Sequence, residues 1–129
     1  MAKVTGFGGF FFIAKDPEKL AEWYEKFLGI AKVLTSMDDQ PWIQESGVTA
    51  FQPFAAKSGL GIVYGEDNEI GNGKNWGLNF RVDNLDEMIA NLEKNDIKVY
   101  KDSENYPMGT FASITDPEGN PIQLWQPSY

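Results

Sequence analysis

The chain repeats itself. Laying residue i on residue i+68 sets Gly9 on Gly77, Phe12 on Phe80, Asp16 on Asn84, Glu18 on Asp86, Leu20 on Met88, and Glu25-Lys26 on Glu93-Lys94. In the first copy, residues 4–14 are mostly aromatic, small or β-branched and stop at Asp16-Pro17, which predicts a strand and then a helix start. Asp16 suits the N-cap and Pro17 the first helical position. Leu20, Trp23, Tyr24, Phe27 and Leu28 then recur at the helical period until Gly29 ends the run. In the second copy, residues 76–82 read as a strand, Asn84 as the N-cap, and Leu85, Met88, Ile89 and Leu92 as one helix face.

Short β-like runs follow each helix: 31–35, 41–44, 49–54 and 60–64 in the first copy, and 97–100, 110–115 and 122–126 in the second. Clusters of Asp, Gly, Pro and Ser separate them, as turns require. Residues 65–75, GEDNEIGNGKN, are polar, glycine-rich and aperiodic, and read as a connection at the midpoint. A strand-helix-strands unit used twice predicts an α+β chain with two helix-backed curved sheets, helices on the outer face and the other face curling around a cavity.

The bulk numbers narrow the chemistry. A chain of 129 residues fits one domain, and 42% hydrophobic residues supply a core. With no cysteine there is no disulfide and no thiolate; with no histidine, every Ser-His, Cys-His and His-metal mechanism is closed. Nineteen acids against eleven bases, net −8, argue against a nucleic-acid partner, which would need cations to displace counterions. No apolar run approaches the ~20 residues that cross a bilayer, and MAKVTGF lacks the basic-then-apolar layout of a secretory signal. A cytoplasmic protein without a membrane partner is expected.

Three stretches carry a resemblance: AKDPEKLAEWYEKFLGI, FRVDNLDEMIANLEKNDIKV and MGTFASITDPEGNPIQLWQP. In this order they resemble the vicinal-oxygen-chelate superfamily, which includes glyoxalases, bleomycin-resistance proteins and ring-cleaving dioxygenases. The most specific piece is ITDPEGNPIQLWQP, which is similar to that superfamily's closing hairpin. The resemblance implies a single domain over 1–129 built of tandem βαβββ modules, module one at 1–66 and module two at 75–129 with a linker at 67–74. It also implies a homodimer.

In metal-dependent relatives, the resemblance implies four ligands, one on the first and one on the last strand of each module. The matching positions here are Gly9, Gly77, Ile62 and Gln123. Two have no side chain, one is apolar and one is a neutral amide, whereas a divalent cation needs several converging O or N donors. The expectation is therefore no metal cofactor. A different register would leave Glu45, Asp83, Glu66 or Asp67 as donors, though none shows ligand spacing.

Alternation along strands sorts the remaining side chains. If Gly9 and Gly77 face the cavity, so do Phe7, Phe11, Ile13, Asn79 and Arg81, while Phe10, Phe12, Leu78, Phe80 and Val82 lie under the helices. The same rule sends Gln123, Trp125, Phe111 and Ser113 inward and Ile122, Leu124, Ala112 and Ile114 toward the helices. In module one, Trp42, Gln44, Phe51, Ile62 and Tyr64 are the cavity candidates. The predicted ligand-binding set is thus Phe11, Trp42, Gln44, Phe51, Tyr64, Asn79, Arg81, Phe111, Ser113, Gln123 and Trp125, an aromatic box with a few amides. Each aromatic also has a plain reading as core.

Arg81 reads as a clamp for a ligand carboxylate or phosphate, or as a strand residue paired with Asp83, Glu45 or solvent. Tyr64 and Tyr106 are weak acids, poor general bases with an ordinary pKa near ~10. Glu45 is either a carboxylate at the cavity or a solvated turn residue before Ser46-Gly47. No catalytic residue is assigned.

Three functions remain. The first is a glyoxalase-like protein without the usual metal ligands that binds a small organic molecule, flat or cationic, in an aromatic-lined cavity. The second is a metal-dependent lyase, isomerase or dioxygenase of the glyoxalase class acting on a small carbonyl or aromatic substrate. The third is an interaction module whose cavity is filled by its own side chains.

Overall fold

The computed structural model describes residues 1–32, 41–55, 60 and 74–129. Helix α1, Pro17–Leu28, begins as its sequence dictates: the Asp16 side chain accepts from the Lys19 N–H at 3.2 Å, Pro17 opens the helix, and Gly29 ends it in the left-handed region at φ 70°. Helix α2, Leu85–Lys94, starts in the same way, with the Asn84 side chain accepting from the Glu87 N–H at 3.0 Å. After it, Asp96 takes the left-handed conformation at φ 62°, which Asp tolerates better than most residues.

Four strands surround α2 in the chain. β1 is Leu78–Arg81, β2 Tyr100–Lys101, β3 Gly109–Thr115 and β4 Pro121–Pro127, and they form one sheet in the order β1-β4-β3-β2. β1 pairs parallel with β4, whereas β3 pairs antiparallel with both β4 and β2. This is one complete βαβββ unit, with boundaries within a few residues of the expected ones; the strand expected at 97–100 is formed at Tyr100–Lys101.

Alternation then selects the two faces. Leu78 and Phe80 on β1, Ile122 and Leu124 on β4, and Ala112 and Ile114 on β3 turn to one side and pack with Leu85 and Leu92 of α2 and Leu20 and Tyr24 of α1. Both helices therefore close one apolar layer, with Ile114, Ile122 and Leu124 fully buried.

The closing turn welds α1 to this layer. Asp116, buried, accepts from the Tyr24 hydroxyl at 2.7 Å, from the Asn120 amide at 2.7 Å, and from the N–H groups of Glu118 and Asn120 at 2.8 and 3.0 Å. The Glu118 carboxylate in turn accepts from the N–H groups of Lys15 and Asp16 at 2.7 and 3.0 Å. A segment that reads as a surface turn is thus a buried acceptor serving four donors.

The first copy differs from its expected layout. Residues 4–14 form no ladder, and neither do 41–44 or 49–54. A strand needs a partner for its N–H and C=O groups, and among the described residues none lies alongside. The side-chain alternation survives all the same: Phe12 and Ala14 pack against the core while Phe11 and Ile13 are 95% and 96% exposed. Phe10, Phe12 and Trp76 gather their rings at centroid distances of 5.2 to 5.7 Å. The expected strand at 60–64, most of that at 31–35 and the connection at 65–75 lie largely outside the described residues.

Candidate ligand-binding face

On the side of the sheet away from the helices, strand register fixes which side chains meet. Across β1 and β4, Asn79 sits beside Gln123 and Arg81 beside Trp125; across β4 and β3, Gln123 faces Ser113 and Trp125 faces Phe111. All six were expected on this face. Neighbours in register on one face are close enough to bond or stack. The Asn79 amide donates to Gln123 Oε1 at 2.6 Å, and the Phe111 and Trp125 rings lie stacked, 6.0 Å apart and 4° from parallel.

Accessibility within the group is uneven. Ser113, Gln123 and Trp125 are buried, Phe111 and Arg81 half-buried, and Asn79 exposed. A ligand on this face would therefore meet Asn79 and Phe111 first, with Trp125 as backing.

Arg81 does not stand open as a clamp. Its guanidinium donates to the Glu45 carbonyl oxygen at 2.8 Å and lies against Gly47, where a Cβ would fall 1.7 Å from its terminal nitrogen. The partner foreseen at Glu45 is thus its backbone, not its carboxylate.

The candidates of module one are not drawn into the group. Phe11 is 95% exposed, Phe51 76% and Trp42 41%, and Gln44 is exposed as well. Phe51 meets Phe7, with ring centroids 5.9 Å apart. No hydrogen bond or ring contact among the described residues joins these four side chains to Phe111, Trp125, Asn79 or Gln123. Tyr64 and Ile62, like Glu66 and Asp67, lie outside the described residues.

One neighbour was read only as a weak acid. Tyr106 places its ring edge-on to Phe111, 5.8 Å away at 70°, and its hydroxyl donates to Asp102 at 2.9 Å. It stands on a tight turn: Tyr106 and Gly109 exchange two backbone bonds of 3.0 Å, and the Trp125 indole donates to the Met108 carbonyl at 2.9 Å. Gly109 is required there, with φ 135° and a Cβ position 2.1 Å from the Gln126 carbonyl oxygen. The signal in sequence was Tyr-Pro-Met-Gly ahead of a strand, a turn composition whose meaning depends on where Phe111 lies.

The open grooves among the described residues do not include the stacked rings. One, of about 520 Å³, runs between Trp23, Tyr100, Lys98 and the 115–119 turn; the other, of about 490 Å³, follows Phe10 to Ile13 and Trp76. Among the described residues no three Asp or Glu side chains gather, Gly77 has no side chain, and Gln123 Oε1 already accepts from Asn79. The described residues do not fit a divalent cation. No described helix is long and apolar enough to cross a membrane.

No curated protein matches the chain. A glyoxalase/bleomycin resistance protein from Streptomyces sp. CB03234 is 38% identical over 39% of this chain and 43% of its own, with a TM-score of 0.36. TnmS3, an antibiotic binding protein from the same organism, is 25% identical over 88% of each chain at a TM-score of 0.50. A superfamily member from Sphaerobacter thermophilus DSM 20745 is 22% identical over 88% of this chain and 90% of its own, at 0.54. With a βαβββ sheet in place and the family's sequence profile matching residues 6–124, the chain belongs to the Glyoxalase/Bleomycin resistance protein/Dioxygenase superfamily.

Proposed function

We propose that this protein binds a small organic molecule, without a metal, against the face of its sheet away from the two described helices, and that residues 1–66 form a second βαβββ module enclosing that face as a cavity. The observation that carries the reading is the Phe111–Trp125 stack beside the Asn79–Gln123 amide pair. Small-molecule sites combine apolar and aromatic walls with a few placed polar groups, and this arrangement supplies both. The likeness to an antibiotic binding protein over 88% of each chain supports a binder in preference to an enzyme. The absence of histidine and cysteine from the whole sequence supports metal independence. A cytoplasmic homodimer completes the proposal.

Thermal denaturation with and without naphthalene-based compounds tests it. A ligand at a hundredfold excess over its Kd stabilises the folded state by about 2.7 kcal/mol, enough for a clear rise in Tm. Phe111→Ala should weaken binding and so remove that rise. Zinc, nickel, manganese and ferrous ions should leave Tm unchanged. A metal-dependent rise, with no response to any aromatic compound, would overturn the proposal.

A further inference from the structure

The rim of the face is chemically one-sided. The Tyr106 hydroxyl gives its proton to Asp102 Oδ2 at 2.9 Å, and Asp102 is itself held by the Glu104 N–H at 3.1 Å through its other oxygen. The single O–H of the phenol is thereby occupied, which leaves only the lone pairs of its oxygen for a further partner. Tyr106 is 37% exposed, and its ring rests edge-on against Phe111. The tight turn beneath it is tied to β4 by the Trp125 indole and by the Ser128 hydroxyl, which donates to the Pro107 carbonyl at 2.5 Å. An acceptor built onto a rigid turn next to an aromatic wall is preorganised, so little ordering entropy is lost when a ligand meets it.

Among the described residues, the charges that act on the phenol have one sign. Asp102 and Glu104 flank the phenol, while Lys101, the adjacent cation in sequence, is turned to the helix side, where it bonds Asp86 at 2.8 Å. The Asp102 carboxylate, accepting the phenol's proton, holds Tyr106 above the usual tyrosine range, so the hydroxyl stays neutral and oriented at physiological pH.

We propose that Tyr106 is the specificity-determining residue of this face: with its proton committed to Asp102 it offers a ligand only an acceptor, and so selects flat aromatic molecules bearing an ammonium or another N–H donor. The aromatic body would rest on Phe111 and the donor would reach the phenol oxygen, with Asp102 and Glu104 favouring positive charge. The inference rests on the binding reading above and adds the ligand class to it.

Isothermal titration with three matched probes separates the two: 1-naphthylmethylamine, 1-naphthylmethanol and 1-naphthoate. The amine should bind ~3- to 10-fold more tightly than the alcohol, the range for a charge-assisted bond at a partly exposed site, and the carboxylate most weakly. Tyr106→Phe and Asp102→Asn should each lower the amine-to-alcohol ratio, with the remaining carboxylates keeping it above one. A merely structural role for either residue would weaken all probes alike and leave the ratio intact, which would overturn the inference. Equal binding of amine and carboxylate would also overturn it while leaving the binding reading in place. No binding by any probe would count against both.

Discussion

The two copies of the repeat have similar helices and dissimilar surroundings. In the second, α2 lies on a four-stranded ladder whose helix-side residues on β3 and β4, Ala112, Ile114, Ile122 and Leu124, are almost fully buried. In the first, the helix forms with equal fidelity, but the aromatic run before it leaves Phe7, Phe10, Phe11 and Ile13 exposed. Local signals such as Asp16-Pro17 and Asn84 decide a helix start wherever they occur, because the cap acts within one turn. A strand is decided by what lies next to it. Among the described residues, the first helix is tied to the second copy through Leu20, Tyr24 and the Asp116 turn.

The largest expected effect separates the copies directly. Leu124→Ala, at a fully buried position, should cost about 2–5 kcal/mol in denaturant-derived stability, whereas Phe11→Ala should fall within about 0.5 kcal/mol. A Phe11→Ala cost as large as that of Leu124→Ala would mean that residues 4–14 are packed in solution. Sedimentation of the two variants would then show whether association is lost with stability.

Next in size is the bond between the copies. Asp116→Ala removes the acceptor of the Tyr24 hydroxyl and the Asn120 amide inside the protein, and leaving such donors unsatisfied should cost about 1–3 kcal/mol. Glu118→Ala removes acceptors of the exposed Lys15 and Asp16 N–H groups, which water can replace, and should cost about 0.5–1 kcal/mol. If the two substitutions cost the same by urea denaturation, the turn does not join α1 to the sheet in the way the buried carboxylate implies.

The second unit was legible because several independent signals agreed: alternation in β3 and β4, the Asn84 cap, and the Asp116 to Asn120 turn. The same alternation correctly grouped Asn79, Arg81, Phe111, Ser113, Gln123 and Trp125, since period two assigns a face without knowledge of the partner strand. It was insufficient for Phe11, Trp42, Gln44 and Phe51, because placing them in a cavity required a pairing register for module one that no turn or cap in those segments specifies. The role of the Asp116 turn was hidden for a different reason. Composition reveals a turn, but the donors it satisfies, Tyr24, Lys15 and Asp16, come from about a hundred residues away in sequence.

The smallest effect concerns the turn that carries Tyr106. Its phenol donates to Asp102, which favours the protonated form, so its pKa in the folded chain is raised above the ordinary value. The contribution of that bond to stability is complete below the ordinary tyrosine pKa, near ~10, and is lost as pH rises through the raised folded value. Asp102→Asn removes the carboxylate charge and should lower the Tyr106 midpoint in an alkaline titration followed by the NMR signal of its Cζ. Tyr24 is the internal contrast, because its hydroxyl bonds a buried carboxylate in the weld between the copies and its signal should not respond to Asp102→Asn. If both signals move together, the Tyr106 turn is coupled to the α1 interface and the two regions do not behave as separate units. If neither moves, the phenol is not committed to Asp102 in solution, and the acceptor-only rim on which ligand selection depends is absent.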